Sequence, residues 1–189
     1  MKFPFHTKCH AFTLIETIVV IALSVSIMIT FGLLIYNFNT AVTYGQASVQ
    51  SSDSANTILR GIELLTLPAD AVLQTHEFLD GTATSSSTTL VLEIPSIDSS
   101  GNVIVNAYDY AKFYVIGTNA YLHLEANVLS SRISGTKQLG SDVNALTFIY
   151  NNSNFSQVNT VMVDVQTQVT VKQTIISDHL REQIRLRNY

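Results

Sequence analysis

The chain has 189 residues, a formal net charge of −4, 47% hydrophobic side chains and only 13% charged ones. That length leaves room for one domain of ordinary size plus an appendage, and the acidic balance, with no Lys/Arg cluster before the last few residues, gives no electrostatic reason to bind nucleic acid. A single cysteine, Cys9, excludes an internal disulfide, and five scattered histidines (His6, His10, His76, His123, His179) offer no ligand spacing for a structural zinc.

In chain order, the first segment is "MKFPFHTKCHA", carrying Lys2 and Lys8. Next comes "FTLIE", and then Thr17 to Tyr36, "TIVVIALSVSIMITFGLLIY", with no charge and no proline. At about 1.5 Å per residue these residues span about 30 Å, the thickness of a bilayer's hydrocarbon core. After Lys8 the next basic residue is Arg60, so the positive-inside rule keeps the N-terminus cytoplasmic and sends the body outside. The apolar run is too long for an ordinary cleaved secretory signal and is followed by poor cleavage sites. A simple signal anchor explains the length and the flanks but not Glu16, the only fully charged side chain between His10 and Ser52. A carboxylate at the edge of a membrane helix is costly, and such residues usually have a job and a partner.

The five consecutive residues Phe12, Thr13, Leu14, Ile15 and Glu16, after a short basic leader and directly before a hydrophobic helix, resemble the prepilin signal of type IV pilins and type II secretion pseudopilins. The residue before the cut is Ala11 where the family has Gly; it is small enough to suit the same protease pocket. The resemblance implies a prepilin peptidase that cuts between Ala11 and Phe12 and methylates the new amine of Phe12. It also implies that Glu16 forms an assembly salt bridge with the N-terminal amine of a neighbouring subunit. In low dielectric each charge offsets part of the other's desolvation cost. On this reading residues 1–11 are a discarded leader, Cys9 included, and residues 12–36 form the transmembrane and assembly helix.

No proline occurs between Phe12 and Leu67, so the helix is expected to continue to about Thr66, with residues 37–67 as its amphipathic continuation. Ala55, Ile58, Leu59, Ile62 and Leu65 follow i, i+3, i+4, i+7 spacing, with Asp53, Asn56 and Arg60 off that stripe. Gly32 and Gly45 are weak points, and Pro68 supplies a stop. Past Pro68 the pattern turns to period two. "TTLVLEIP" predicts a strand with Leu90, Leu92 and Ile94 on one face, and "IDSSGNV" a turn. "YAKFYVI", "GTN" and "AYLHLEA" predict a hairpin. "SDVNALTFIYNN" and "VNTVMVDVQTQVTV" predict strands around the loop "NSNFSQ". "REQIRLRNY" predicts a terminal edge strand whose arginines deter stray pairing, and "GTATSSSTT" reads as a loop.

The expected fold is α+β: the pilin-like ladle, a long N-terminal helix packed on an antiparallel β-sheet, with residues 68–189 as an extracytoplasmic β-rich head. "TLVLEIP", "FYV", "LTFIYNN" and "RLRN" are similar to stretches of W-type minor pilins and J-type minor pseudopilins. The resemblance therefore implies a minor filament subunit in the cytoplasmic membrane, working with prepilin peptidase and other pilin or pseudopilin subunits. The alternative is a signal-anchored binding module that does not polymerise.

Catalysis has no motif behind it: there is no G-x-S-x-G elbow, H-E-x-x-H helix or phosphate-binding glycine loop. Asp109 and His123 with a serine make a triad only on paper, and His123 in "YLHLEA" reads as an exposed strand residue opposite Leu122 and Leu124. Asp98 reads as a turn former rather than a calcium ligand, since carboxylates around it are sparse. Arg181, Arg185 and Arg187 stand beside Asp178 and Glu182 on an acidic protein, so DNA is not an expected partner, and no cofactor is expected.

Overall fold

The computed structural model describes residues 13–187, so Ala11 and Phe12 lie outside the described residues. The chain divides into two compact units, with the boundary between Thr43 and Tyr44.

Among its described residues, the first unit is the N-terminal part of one helix. α1 runs Leu14–Thr66, the extent that the missing prolines predict. From residue 13 to residue 39 every side chain is exposed, and from Thr17 to Tyr36 that surface carries no charge and is mostly apolar on all sides. A helix greasy all round needs lipid or other helices as its solvent, and this one is long and apolar enough to cross a membrane. Its hydroxyls bond back into the helix: Ser24 donates to the Val20 carbonyl at 2.8 Å, Ser26 to Ala22 at 2.9 Å and Thr30 to Ser26 at 2.8 Å. A hydroxyl satisfied this way carries little penalty in hydrocarbon.

The second unit contains the C-terminal part of α1 and, among the described residues, ten strands. These are β1 (Ala71–Val72), β2 (Thr75–Phe78), β3 (Gly81–Thr84), β4 (Leu90–Ile97), β5 (Val103–Ile116), β6 (Asn119–Glu125), β7 (Gly135–Gly140), β8 (Val143–Tyr150), β9 (Thr160–Val171) and β10 (Thr174–Arg185). Every pairing among them is antiparallel. The strands form a five-stranded sheet ordered β1-β4-β5-β6-β7, a three-stranded sheet ordered β10-β9-β8, and the separate β2-β3 hairpin. The fold is thus α+β, a long helix packed on antiparallel sheet.

The expected helical stripe is the buried one. Ala55, Ile58 and Ile62 are fully buried, and Leu59 and Leu65 nearly so; they share one cluster with Leu90, Leu92, Ile94, Phe113, Phe148, Val161, Val163 and Val165. The stripe also extends N-terminally through small residues, since Ala47 and Ser51 are buried too. Small side chains let backbones approach closely: a Cβ on Gly140 of β7 would lie 2.7 Å from Ile58 Cγ1. A polar seam runs alongside. The Thr167 hydroxyl donates to the Ser51 carbonyl at 2.9 Å and lies 2.8 Å from the Ser51 hydroxyl, Ser54 donates to the Ser141 carbonyl at 2.5 Å, and Gln50 donates to Asp142 at 2.9 Å.

Three expectations need correction. "GTATSSSTT" is not all loop, because Gly81–Thr84 pairs with Thr75–Phe78 as a hairpin. Its Gly-Thr-Ala-Thr sequence lacks the apolar alternation that marks a strand, since its pairing partner is the adjacent segment of chain and not the core. β7, in "GTKQLG", escapes a period-two reading for a different reason: it pairs with β6 and meets the core, but Leu139 is its one buried apolar side chain, and Gly135 to Gln138 are exposed. The terminal strand begins at Thr174, well before "REQIRLRNY", and is an edge strand as expected. The "NSNFSQ" loop holds one short 3₁₀ turn, Phe155–Gln157, where the Asn154 side chain accepts from the Ser156 N–H as a cap.

Candidate functional site

Two places carry polar groups beyond what packing needs. The first is the start of α1. Glu16 Oε2 accepts from the Thr13 backbone N–H at 2.9 Å and from the Thr13 hydroxyl at 3.0 Å, while the Glu16 N–H donates to Thr13 Oγ1 at 3.3 Å. This is a capping box: a threonine N-cap and a glutamate three residues on satisfy each other's orphan groups. The partner of Glu16 within its own chain is therefore Thr13. The T-x-x-E spacing ahead of an apolar run is the sequence signal for it. Leu14 and Ile15 are exposed first-turn residues between the two.

The second place is the outer face of the five-stranded sheet. On β5, Tyr110, Lys112 and Tyr114 face outward, and register places them opposite Glu125, His123 and Tyr121 of β6. The β2-β3 hairpin lies across this face as a strap. It is its own two-stranded sheet, so side chains attach it. Phe78 is only 3% exposed, with the Lys112 ammonium 4.6 Å from its ring centroid. His76 stacks on Tyr110 at 3.8 Å. At the strap's turn, Asp80 Oδ1 lies 2.5 Å from Lys112 Nζ and Asp80 Oδ2 lies 4.0 Å from His123 Nδ1. The Leu79 N–H donates to Glu125 Oε1 at 2.5 Å. Gly81 completes the turn at φ 127, backbone that a Cβ disfavours.

His123 does lie on the face opposite Leu122 and Leu124, but it is not exposed: the strap leaves its side chain 14% accessible. Burial lowers the pKa of His76, against the raising influence of Glu125, Glu93 and Glu77. The Lys112 ammonium holds the Asp80 carboxyl below its usual range. Asp80, His123 and Glu125 each offer a ligand atom within 4.8 Å of the others, and a shallow groove lined by Leu79, Asp80, His123, Glu125 and Ser134 opens onto them. Residues 80, 112 and 123 are too far apart in the chain for spacing to join them; only His123-x-Glu125, one face of a strand, is readable in the sequence.

The triad on paper does not assemble. Asp109 pairs with Ile94 on the inner side of β5, two residues from Ala111, whereas His123 is on the outer side. Asp109 is instead a structural anchor. Fully buried, it accepts from Ser96 at 2.7 Å, the Asn127 N–H at 2.8 Å, Ser130 at 2.8 Å and Arg132 at 2.6 Å. Burial raises its pKa and these donors, led by the Asn127 N–H, more than reverse that. Asp98 accepts from the N–H groups of Ser100 and Asn102 and from the Asn102 side chain, so it is the turn former. Of the terminal arginines, Arg181 is bound to Asp164 of β9, whose other carboxylate oxygen lies 2.8 Å from His179 Nε2.

The chain matches no protein-family model, and no curated protein aligns with it significantly.

Proposed function

We propose that this protein is a minor structural subunit of a type IV pilus-like or type II secretion filament. It is made as a prepilin, cut between Ala11 and Phe12 by a prepilin peptidase, methylated on Phe12, and packed through α1 against other pilin or pseudopilin subunits. The observation that carries this reading is the combination at the start of α1: "FTLIE" leads straight into a helix whose apolar side chains face outward all round. Such a helix is suited first to lipid and then to the helices of neighbours.

A second reading has one observation in its favour. The capping box gives Glu16 an occupation within its own chain, so a signal-anchored module that never polymerises no longer leaves that carboxylate unexplained. Two experiments separate the readings. Mass spectrometry of the N-terminal peptide from the native host is expected to give a chain beginning at N-methylated Phe12; an intact residue 1 points to the anchored module. Glu16→Gln then splits the roles of the side chain. Glutamine keeps the capping box but has no charge. If the charge pairs with a neighbour's amine, Glu16→Gln and Glu16→Ala both fail to enter filaments while remaining membrane-bound and cleaved. Normal incorporation of Glu16→Gln would reduce Glu16 to a helix cap.

A further inference from the structure

We propose that Asp80, His123 and Glu125 bind one divalent transition-metal ion of the zinc class, which fastens the β2-β3 strap to the five-stranded sheet. This is independent of whether the chain polymerises. The ligands come from two bodies, Asp80 from the turn of the strap and His123 and Glu125 from one face of β6. One nitrogen and two carboxylate donors form a set that zinc accepts, with a fourth position open to water. Ligand atoms on a tetrahedral ion sit about 3.4 Å apart for bonds of about 2.1 Å. Donors already within 4.8 Å reach that spacing by rotamer adjustment at an exposed turn. Calcium fits less well, since it wants six or more oxygens and rarely takes imidazole.

Two further features favour an ion over a chance gathering. One β6 donor is held from outside the cluster: His123 Nδ1 lies 2.8 Å from Thr136 Oγ1 of β7, while Nε2 lies 3.5 Å from Glu125 Oε1. Outer contacts of this kind orient ligands and fix the imidazole tautomer. The strap also shares no backbone ladder with the sheet it covers, so a bridging ion would supply an attachment that the fold otherwise leaves to side chains. The Lys112 ammonium on Asp80 Oδ1 is the competitor, the cation that balances Asp80 when no metal is bound. Its presence gives the proposal a signature: removing that ammonium should strengthen metal binding.

The test uses the full chain in detergent, stripped of metal, with His6, Cys9 and His10 replaced by alanine so that the N-terminal segment cannot compete. Zinc affinity is read by competition with a chromophoric chelator, and the melting temperature is followed in parallel. The expected result is one zinc per chain and a raised melting temperature. Asp80→Asn and His123→Ala should each weaken binding at least about tenfold, and Lys112→Gln should tighten it. Asp80 is 48% exposed, so Asp80→Asn decides the matter if His123→Ala does not fold. No saturable zinc binding, equal binding by Asp80→Asn, or calcium binding as tight as zinc would each overturn the proposal.

Discussion

At the scale of single residues, the buried carboxylate of Asp109 is the most consequential polar group in the body. Its four donors come from β4 and from the segment after β6, and Arg132 also donates to the Pro95 carbonyl at 2.7 Å. One ion pair thus closes residues 126–134 onto the end of the sheet. Removing one partner of a buried pair strands the other, at about 3 kcal/mol or more. Arg132→Ala is therefore expected to lose about 3 kcal/mol in urea unfolding, with amide exchange at residues 127–131 rising first. The pH dependence has the same origin. The Asp109 pKa is depressed in the folded protein, so its contribution is complete above the unfolded carboxylate value of about 3.9 and is lost as pH falls through the lower folded value. An acid titration of stability should show this loss, and Asp109→Asn should flatten it. Nothing in "NAYDYAKFY" announces this role, because the burial of Asp109 depends on where residues 96, 130 and 132 arrive.

At the scale of elements, the contact of α1 with β7 is closer than side-chain size alone suggests. Gly140 lies under Ile58 and Ser54, and a Cβ there would be 2.7 Å from one and 2.8 Å from the other. Gly140→Ala should push the helix off the strand and cost about 1–3 kcal/mol, as overpacking does. The Gly32→Ala control has no neighbour within 4 Å and should not destabilise. A thermal unfolding comparison of the two variants checks the contact. Element types are legible wherever apolar core residues repeat with the period of their element: Leu90, Leu92 and Ile94 on β4, or Ile58 and Ile62 on α1. The strap is not legible, because its one buried anchor, Phe78, sits near a run of threonine, glycine and alanine with no repeat to read. The small buried positions Ala47 and Ser51 escape for a related reason. Burial there serves close approach and hydrogen bonding, which leave no hydrophobic period.

At the scale of the whole molecule, the two units have different solvents. The second unit has its own core and its own share of α1, while the side chains of residues 13–39 are exposed. A chain beginning at Tyr44 is accordingly expected to be soluble without detergent and to melt at the temperature of the full-length body. Loss of the fold on truncation would mean that the first unit stabilises the second. The sequence by itself determined the features that depend on local composition and period: an uncharged helix of membrane length, its continuation to just before Pro68, the stripe it buries, and most of an antiparallel sheet. The "FTLIE" resemblance likewise needs only neighbouring residues. Tertiary structure alone decided which distant polar groups meet. It buried Asp109 against Arg132, set Asp109 and His123 on opposite faces of the sheet, and folded the strap so that Asp80 reaches His123 and Glu125. Those outcomes depend on strand register, and register is fixed by the packing of the whole sheet rather than by any one strand's sequence.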